Sequence, residues 1–259
     1  MNTVNVVYFS ATGTTLQVVQ KIAEGTGLTV KETDFTKLKF GPTPPAFPGD
    51  ELVIVGLPVY VGRVPSMLVS YLRGLRGDGT PCVAVAVYGN RHFDDCLIEM
   101  CDILTEGGFS IIASAAFVGE HSFSDKLGGG RPDENDKVLA LAFGQDIRNK
   151  LNTGAALLAE GQIPGNRPYR DPFMPKGPPM GPEVGVACNR CGKCANACPT
   201  GAIDQADVTQ IDFAKCIRCR ACAKTCPDSA IDILAAPFLE HTKHLIEVYA
   251  DYKEVLTVL

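Results

Sequence analysis

The sequence predicts an α/β protein built on a doubly wound, five-stranded parallel sheet and followed by a small cysteine-rich domain. Three observations predict it. Over residues 1–160, apolar runs of strand length alternate with segments whose apolar residues recur at helical spacing, as βαβ units do. A stretch rich in proline and glycine, "IPGNRPYRDPFMPKGPPMGPEVG" (163–185), then breaks the pattern and can be neither helix nor central strand. Beyond it, eight of the eleven cysteines fall in two matching runs.

The elements follow in order. "VNVVYFS" reads as a buried first strand, and "TTLQVVQKIAEG" sets Leu16, Val19 and Ala23 on one helical face before a terminal glycine. "TVKETDF" is a weaker second strand. "ELVIVGLP" is a strong third, with a helix around Ser66 to Leu75. "CVAVAVYGN" is the fourth, with a helix near Asp94 to Glu106. "SIIASAAFVG" is the fifth, and the last helix of this region runs from about Asp133 to Leu151. The linker spans 161–185, and its Tyr169, Phe173 and Met174 suggest an extended segment pinned across a surface. The cysteine region, 186–236, contains an internal repeat, "CNRCGKCANACPTGAID" against "CIRCRACAKTCPDSAID". A terminal helix is expected over 237–259, where Phe238, Leu245, Tyr249, Tyr252, Leu256 and Leu259 form an apolar stripe. That stripe either covers its own domain, the favoured reading, or forms a homodimer seam.

Composition narrows the function. A chain of 259 residues is comfortable for two domains, and 46% hydrophobic content is ample for a core. The apolar runs are too short for a membrane span. The N-terminus lacks a basic flank and cleavage site, so a cytoplasmic protein is expected. A reducing compartment argues against eight cysteines in disulfides. The formal charge of −5 sits in the first 160 residues, and nothing suggests a nucleic-acid partner.

Each cysteine run is C-x2-C-x2-C-x3-C-P. Thiolates suit Fe–S clusters or zinc, but zinc sites usually pair two short units across a longer gap. Four cysteines at this spacing before a proline follow the bacterial ferredoxin pattern, in which the fourth ligates the other cluster. On that rule Cys188, Cys191, Cys194 and Cys226 hold one 4Fe–4S cluster, and Cys216, Cys219, Cys222 and Cys198 hold the second. With its "CPTGAI" and "CPDSAI" tails, the region resembles the small α+β two-cluster ferredoxin domain over about fifty residues. The resemblance implies one-electron transfer. Arg190, Lys193, Lys215, Arg218, Arg220 and Lys224 are either solvated surface or a basic rim that tunes the clusters or docks an acidic partner.

"SATGTT", Ser10 to Thr15, joins the first strand to its helix and offers phosphate donors at a helix N-terminus. It lacks the lysine of a P-loop and the spacing of G-x-G-x-x-G. "LPVYVGRVP" and "VYGNRHF" end the third and fourth strands, so three loops meet where parallel sheets bind ligands. Here the sequence resembles the flavodoxin family, whose phosphate loop reads S/T-x-T-G-x-T, over residues 3 to 153. The resemblance implies FMN, with Ser10, Thr12, Gly13, Thr14 and Thr15 on its phosphate. Pro58, Val59, Tyr60, Val61 and Gly62 would form one side of the ring site, and Gly89, Asn90, Arg91 and Phe93 the other. Tyr60 is the expected stacking aromatic. Arg63, Arg91 and His92 make the ring loops unusually basic, which would favour the anionic reduced flavin. The loop 119–136, with His121, is either a lid or plain surface. His241 and His244 read as solvated, and Cys82, Cys96 and Cys101 as core.

Together the chain looks like a flavodoxin–ferredoxin fusion, a type found mainly in anaerobes. The expected function is electron transfer between two 4Fe–4S clusters and FMN, with a redox protein as donor or acceptor and no catalytic side chain. One alternative is a small oxidoreductase that reduces a quinone or another small-molecule acceptor at the flavin. Another is a zinc-stapled binding module.

Overall fold

Alternation within the strands dictates a three-layer sandwich. In a computed structural model describing residues 1–171 and 179–259, the first region forms β1 (Thr3–Tyr8), α1 (Thr14–Thr26), β2 (Thr29–Asp34), β3 (Ala46–Phe47), β4 (Leu52–Pro58) and α2 (Ser66–Gly74). It continues with β5 (Arg76–Gly77), β6 (Thr80–Tyr88), α3 (Cys96–Glu106), β7 (Phe109–Val118) and α4 (Glu134–Asn152). Along β4, Val53, Val55 and Leu57 join Leu68 and Leu72 of α2 and Leu97, Met100 and Leu104 of α3. Leu52 and Ile54 face the other way, with Val18, Val19 and Ile22 of α1 and Ala140, Phe143 and Ile147 of α4. Period-two alternation thus feeds two apolar layers, one on each face of the sheet.

The five long strands lie in the order β2-β1-β4-β6-β7, all parallel. Numbered by turn among themselves they read 2-1-3-4-5, the flavodoxin-like doubly wound order, whose switch point lies between β1 and β4. β2 is the exposed edge, as its polar sequence requires. α4 begins at a reciprocal cap, Asp136 N–H donating to Asp133 at 3.0 Å and Asp133 N–H to Asp136 at 2.9 Å. Arg131 closes on the buried Asp136 carboxylate.

The cysteine domain contains β8 (Glu183–Val184), α5 (Lys193–Ala197), α6 (Ala221–Thr225) and β9 (Ile231–Asp232), with β8 and β9 antiparallel. Ala195, Ala202, Ile203, Val208 and Ile231 pack with the cysteines as its core. After it come α7 (Ala236–Tyr249) and β10 (Leu256–Val258). The helix expected to reach Leu259 therefore stops at Tyr249. The residues "LTV" instead pair antiparallel with β7, Leu256 opposite Ala116 and Val258 opposite Ser114. β-branched residues beside an otherwise open strand edge gain a ladder there, so a sixth, antiparallel strand flanks the five parallel ones. α7 packs within the chain: Phe238 and Leu245 are buried, and Phe238 meets Phe123 at 4.6 Å between ring centroids. Among the described residues no helix is long and apolar enough to cross a membrane.

Candidate functional site

Three loops gather at the carboxyl ends of β1, β4 and β6. Gly13, with φ of 89°, turns the chain into α1, a left-handed conformation that glycine alone adopts without strain. Ser10 is fixed twice, its N–H donating to Thr36 Oγ1 at 2.9 Å and its hydroxyl accepting from Leu16 N–H at 3.1 Å. Among the described residues, the N–H groups of Thr14 and Thr15 meet no protein acceptor. Free amides at the start of a thirteen-residue helix suit a phosphate. Thr12 lies in the same turn, half-buried. Gly119, just past β7, stands so near that a Cβ there would lie 3.0 Å from Thr14 Cβ.

Beyond Pro58 and Val59, Tyr60 to Arg63 form a two-residue reverse turn. The Tyr60 and Arg63 backbones exchange hydrogen bonds of 3.2 and 3.1 Å across Val61 (φ 51°) and Gly62 (φ 78°). Positive φ at both central positions marks a type I′ turn, and Val61 adopts it at a cost. Tyr60 is half-buried, and its hydroxyl is pushed well above its usual pKa, first by burial and then by the neighbouring Cys219 sulfur. That neighbour belongs to the cysteine domain.

Three side chains of the third loop have partners within the protein. Phe93 lies in the apolar core, stacked on His92 at 4.7 Å and edge-on to Tyr88 at 5.7 Å, because aromatic burial outweighs exposure to a cleft. Arg91 pairs with Asp94 and lies 5.9 Å from the Tyr249 ring centre. Asn90 donates its amide to the Tyr249 and Asp251 carbonyls at 2.6 and 2.9 Å, while its buried Oδ1 has no partner among the described residues. Gly89 stays in the loop beneath His121, whose Cδ2 would sit 2.4 Å from a Cβ there. Arg63 forms two bonds to Glu99, at 2.7 and 2.8 Å. The cations expected to face a flavin unpaired are thus held by carboxylates. Asp94 stays below its usual pKa; burial opposes this, but the bond and charge of Arg91 and the charge of Arg170 outweigh it.

The two cysteine cavities differ. One is lined by Cys188, Cys191, Cys194 and Cys226, the other by Cys198, Cys216, Cys219 and Cys222. Each therefore takes three cysteines from one run and the last cysteine of the other. Among the described residues no three Cys, His, Asp or Glu groups converge as the ligands of one ion, and the thiols surround a space instead. Backbone amides point at two sulfurs, Ala202 N–H to Cys198 Sγ at 3.3 Å and Ala230 N–H to Cys226 Sγ at 3.2 Å. Burial pushes the Cys219 and Cys222 thiols up to about 12, so they ionise at neutral pH only beside a cation such as iron. The first cavity is outer, with Cys191 exposed. The second is inner: Ile217 packs against the core of the sheet domain, and Arg220 donates to the Ser122 and Phe123 carbonyls at 2.9 and 2.5 Å.

The described start of the linker, 161–171, is pinned to the sheet domain. Asn166 and Arg170 N–H groups donate to the buried Asp95 at 2.8 and 2.7 Å. Arg167 and the Tyr169 hydroxyl close on Asp102, and Arg63 lies 4.8 Å from the Tyr169 ring centre. Phe173 and Met174 fall outside the described residues. Sequence reasoning missed Lys37 and Lys39, whose ammonium groups reach α5; no local pattern marks them.

Residues 187–230 match the 4Fe-4S dicluster domain family. The cysteine segment is accordingly a ferredoxin-type iron–sulfur unit attached to a flavodoxin-like sheet. No curated protein matches the chain. Among solved structures, a flavodoxin from the domain Archaea is 17% identical, with 58% of this chain and 99% of that one covered at a TM-score of 0.39. The Streptococcus pneumonia TIGR4 flavodoxin is 16% identical over 57% of this chain and 99% of its own, at 0.41. Rubredoxin oxygen:oxidoreductase from Desulfovibrio gigas is 19% identical over 59% of this chain and 37% of its own, at 0.43.

Proposed function

We propose that the chain is an electron-transfer iron–sulfur flavoprotein that carries two 4Fe–4S clusters and FMN and exchanges single electrons with a redox protein. Cys188, Cys191, Cys194 and Cys226 would hold one cluster, and Cys216, Cys219, Cys222 and Cys198 the other. Bound clusters supply one-electron exchange, and FMN takes one or two electrons. The observation that carries this reading is the crossed grouping of four and four cysteines around two spaces, one of them beside Tyr60. A single zinc ion would need all four sulfurs within bonding distance of one point, which the cavities do not offer. The donor sets therefore fit the larger group.

The flavin fit rests on three features. The free amides of Thr14 and Thr15 with the hydroxyls of Ser10 and Thr12 would bind the phosphate, and the Tyr60 turn would border the ring. The orphaned Asn90 Oδ1 would accept from a polar ring edge. His121 lies over Gly89, and the end of α7 with the chain just past it holds Asn90. That cover favours an electron carrier over an enzyme that admits a quinone at the flavin.

Anaerobically purified protein tests the proposal through its iron, sulfide and flavin content. About eight irons and one FMN per chain are expected. Colourless protein without iron or flavin refutes it, and bound zinc would restore the binding-module reading.

A further inference from the structure

Lys37 and Lys39 belong to the sheet domain, between β2 and β3, yet their side chains end on the cysteine domain. Lys37 Nζ donates to Asn196 O at 2.5 Å and Lys39 Nζ to Ala195 O at 2.8 Å, while Lys39 N–H donates to Pro199 O at 2.9 Å. Ala195 and Asn196 lie between Cys194 of the outer cavity and Cys198, which crosses to the inner one, and Pro199 directly follows Cys198. The Lys39 N–H bond to the carbonyl next to Cys198 sets this segment against the cysteine that crosses to the inner cavity. Both lysines are half-buried.

Several cations of the cysteine runs are neutralised where they stand. Arg220 pairs with Asp232, Lys224 with Glu120 and Lys215 with Asp212, and Arg190 approaches Asp207 at 4.0 Å. Lys37 and Lys39 instead bind neutral carbonyls and form no ion pair among the described residues, although the Asp34 charge also acts on Lys37. The outer cavity has the exposed Cys191 and the exposed Lys193, where water screens charge.

We propose that Lys37 and Lys39 are positioning residues that dock the two domains and hold the cluster of the inner cavity at a higher potential than that of the outer one. The inference rests on both cavities being 4Fe–4S sites. Reduction at the inner cavity adds one electron and alters no bond; a low-potential one-electron donor protein is oxidised by one electron in exchange. Ammonium groups fixed beside the cluster site favour the added negative charge. An electron entering at the exposed face would then settle beside Tyr60 and the flavin loops.

The test is an EPR-monitored redox titration of the full chain, after iron analysis of the wild type. Two midpoints are expected. In Lys37→Met/Lys39→Met the higher should fall, with the reduced-to-oxidised ratio at fixed poise dropping about tenfold, or about 59 mV for one electron. The lower midpoint should stay, and Lys37→Arg/Lys39→Arg should restore the higher. Amide exchange at Lys39 N–H, bonded to Pro199 O, reports whether the domains remain docked. Docked protein whose midpoints stay put, or shift together, overturns the proposal. If the double variant undocks, Lys37→Gln with Lys39 left as anchor is read the same way. It should lower the same midpoint by about threefold in that ratio, and no shift overturns the proposal. Wild-type protein without iron removes the functional reading itself, whereas iron-loaded protein with unmoved midpoints removes only the role of the lysines.

Discussion

His121 makes the stability of this fold depend on pH from about 6.5 downward, beginning above the range where carboxylates titrate. Its pKa is lowered from 6.5 to about 4, first by burial and then by repulsion from His241, Lys224 and Arg220. Geometry agrees: Nδ1 accepts from Phe123 N–H at 3.1 Å, and a proton on Nδ1 would break that bond. A lowered histidine pKa means the unfolded chain binds the proton more tightly. The contribution is therefore complete above pH 6.5 and is lost as pH falls towards 4. For values of 6.5 and 4, the loss between pH 7.5 and pH 5 is about 2 kcal/mol. The assay is anaerobic urea unfolding at both pH values, followed by circular dichroism, on wild type and His121→Gln. The variant should lose about 2 kcal/mol less than wild type over that interval. His241 is lowered as well, by burial and then by His244 and Arg218, so His241→Gln serves as the control for its share. Equal losses in wild type and His121→Gln would refute the reasoning.

Arg63→Met leaves the Glu99 carboxylate buried, with Val64 N–H as its remaining donor at 2.9 Å; a loss of about 3 kcal/mol in urea unfolding is expected, partly recovered by adding Glu99→Leu. Val61→Asn removes a β-branched residue from φ of 51° and should stabilise the protein by about 1 kcal/mol, read as a higher Tm. Gly13→Ala strains the turn into α1 at φ of 89° and should lower the flavin content of purified protein without changing its iron. A chain ending at Asp251 loses β10 and bares the β7 edge at Ser114–Ala116; self-association in size-exclusion chromatography is the expected result.

What the sequence revealed and what it concealed divide by the distance over which residues act. The parallel sheet was legible because each strand carries its own apolar run and each helix its own face. The cysteine grouping was legible because three of the four cysteines around each cavity lie within seven residues. The loop expected to bind phosphate is likewise one hexapeptide. Phe93, expected beside a flavin, was hard to place because a strand-end aromatic looks alike from both sides, and only the packing of Tyr88 and His92 shows that it turns inward. The end of the chain was misread because Tyr249, Tyr252, Leu256 and Leu259 fit helical spacing as well as the strand that three of the last residues form. Lys37 and Lys39 were invisible for a different reason. Their partners lie 159 and 156 residues away, and an isolated lysine in a loop carries no sign of what it will meet.

Joining the two domains in one chain has a structural consequence. Separate carriers exchange electrons through encounters whose geometry is drawn afresh each time, whereas here the approach of the inner cavity to the Tyr60 turn is fixed by folding. Several ties fix it: the lysines on α5, Arg220 on the loop after β7, the Glu120–Lys224 pair, and the linker clamped on Asp95 and Asp102. None lies at the exposed Cys191. The sheet domain thus occupies the inner side of the iron–sulfur unit and leaves the outer side to a partner. On the proposed reading this burial asymmetry, rather than any acid or base, sets the direction in which the protein can be wired, because a donor able to reach only the outer cavity must pass its electron through the inner one before it meets the flavin.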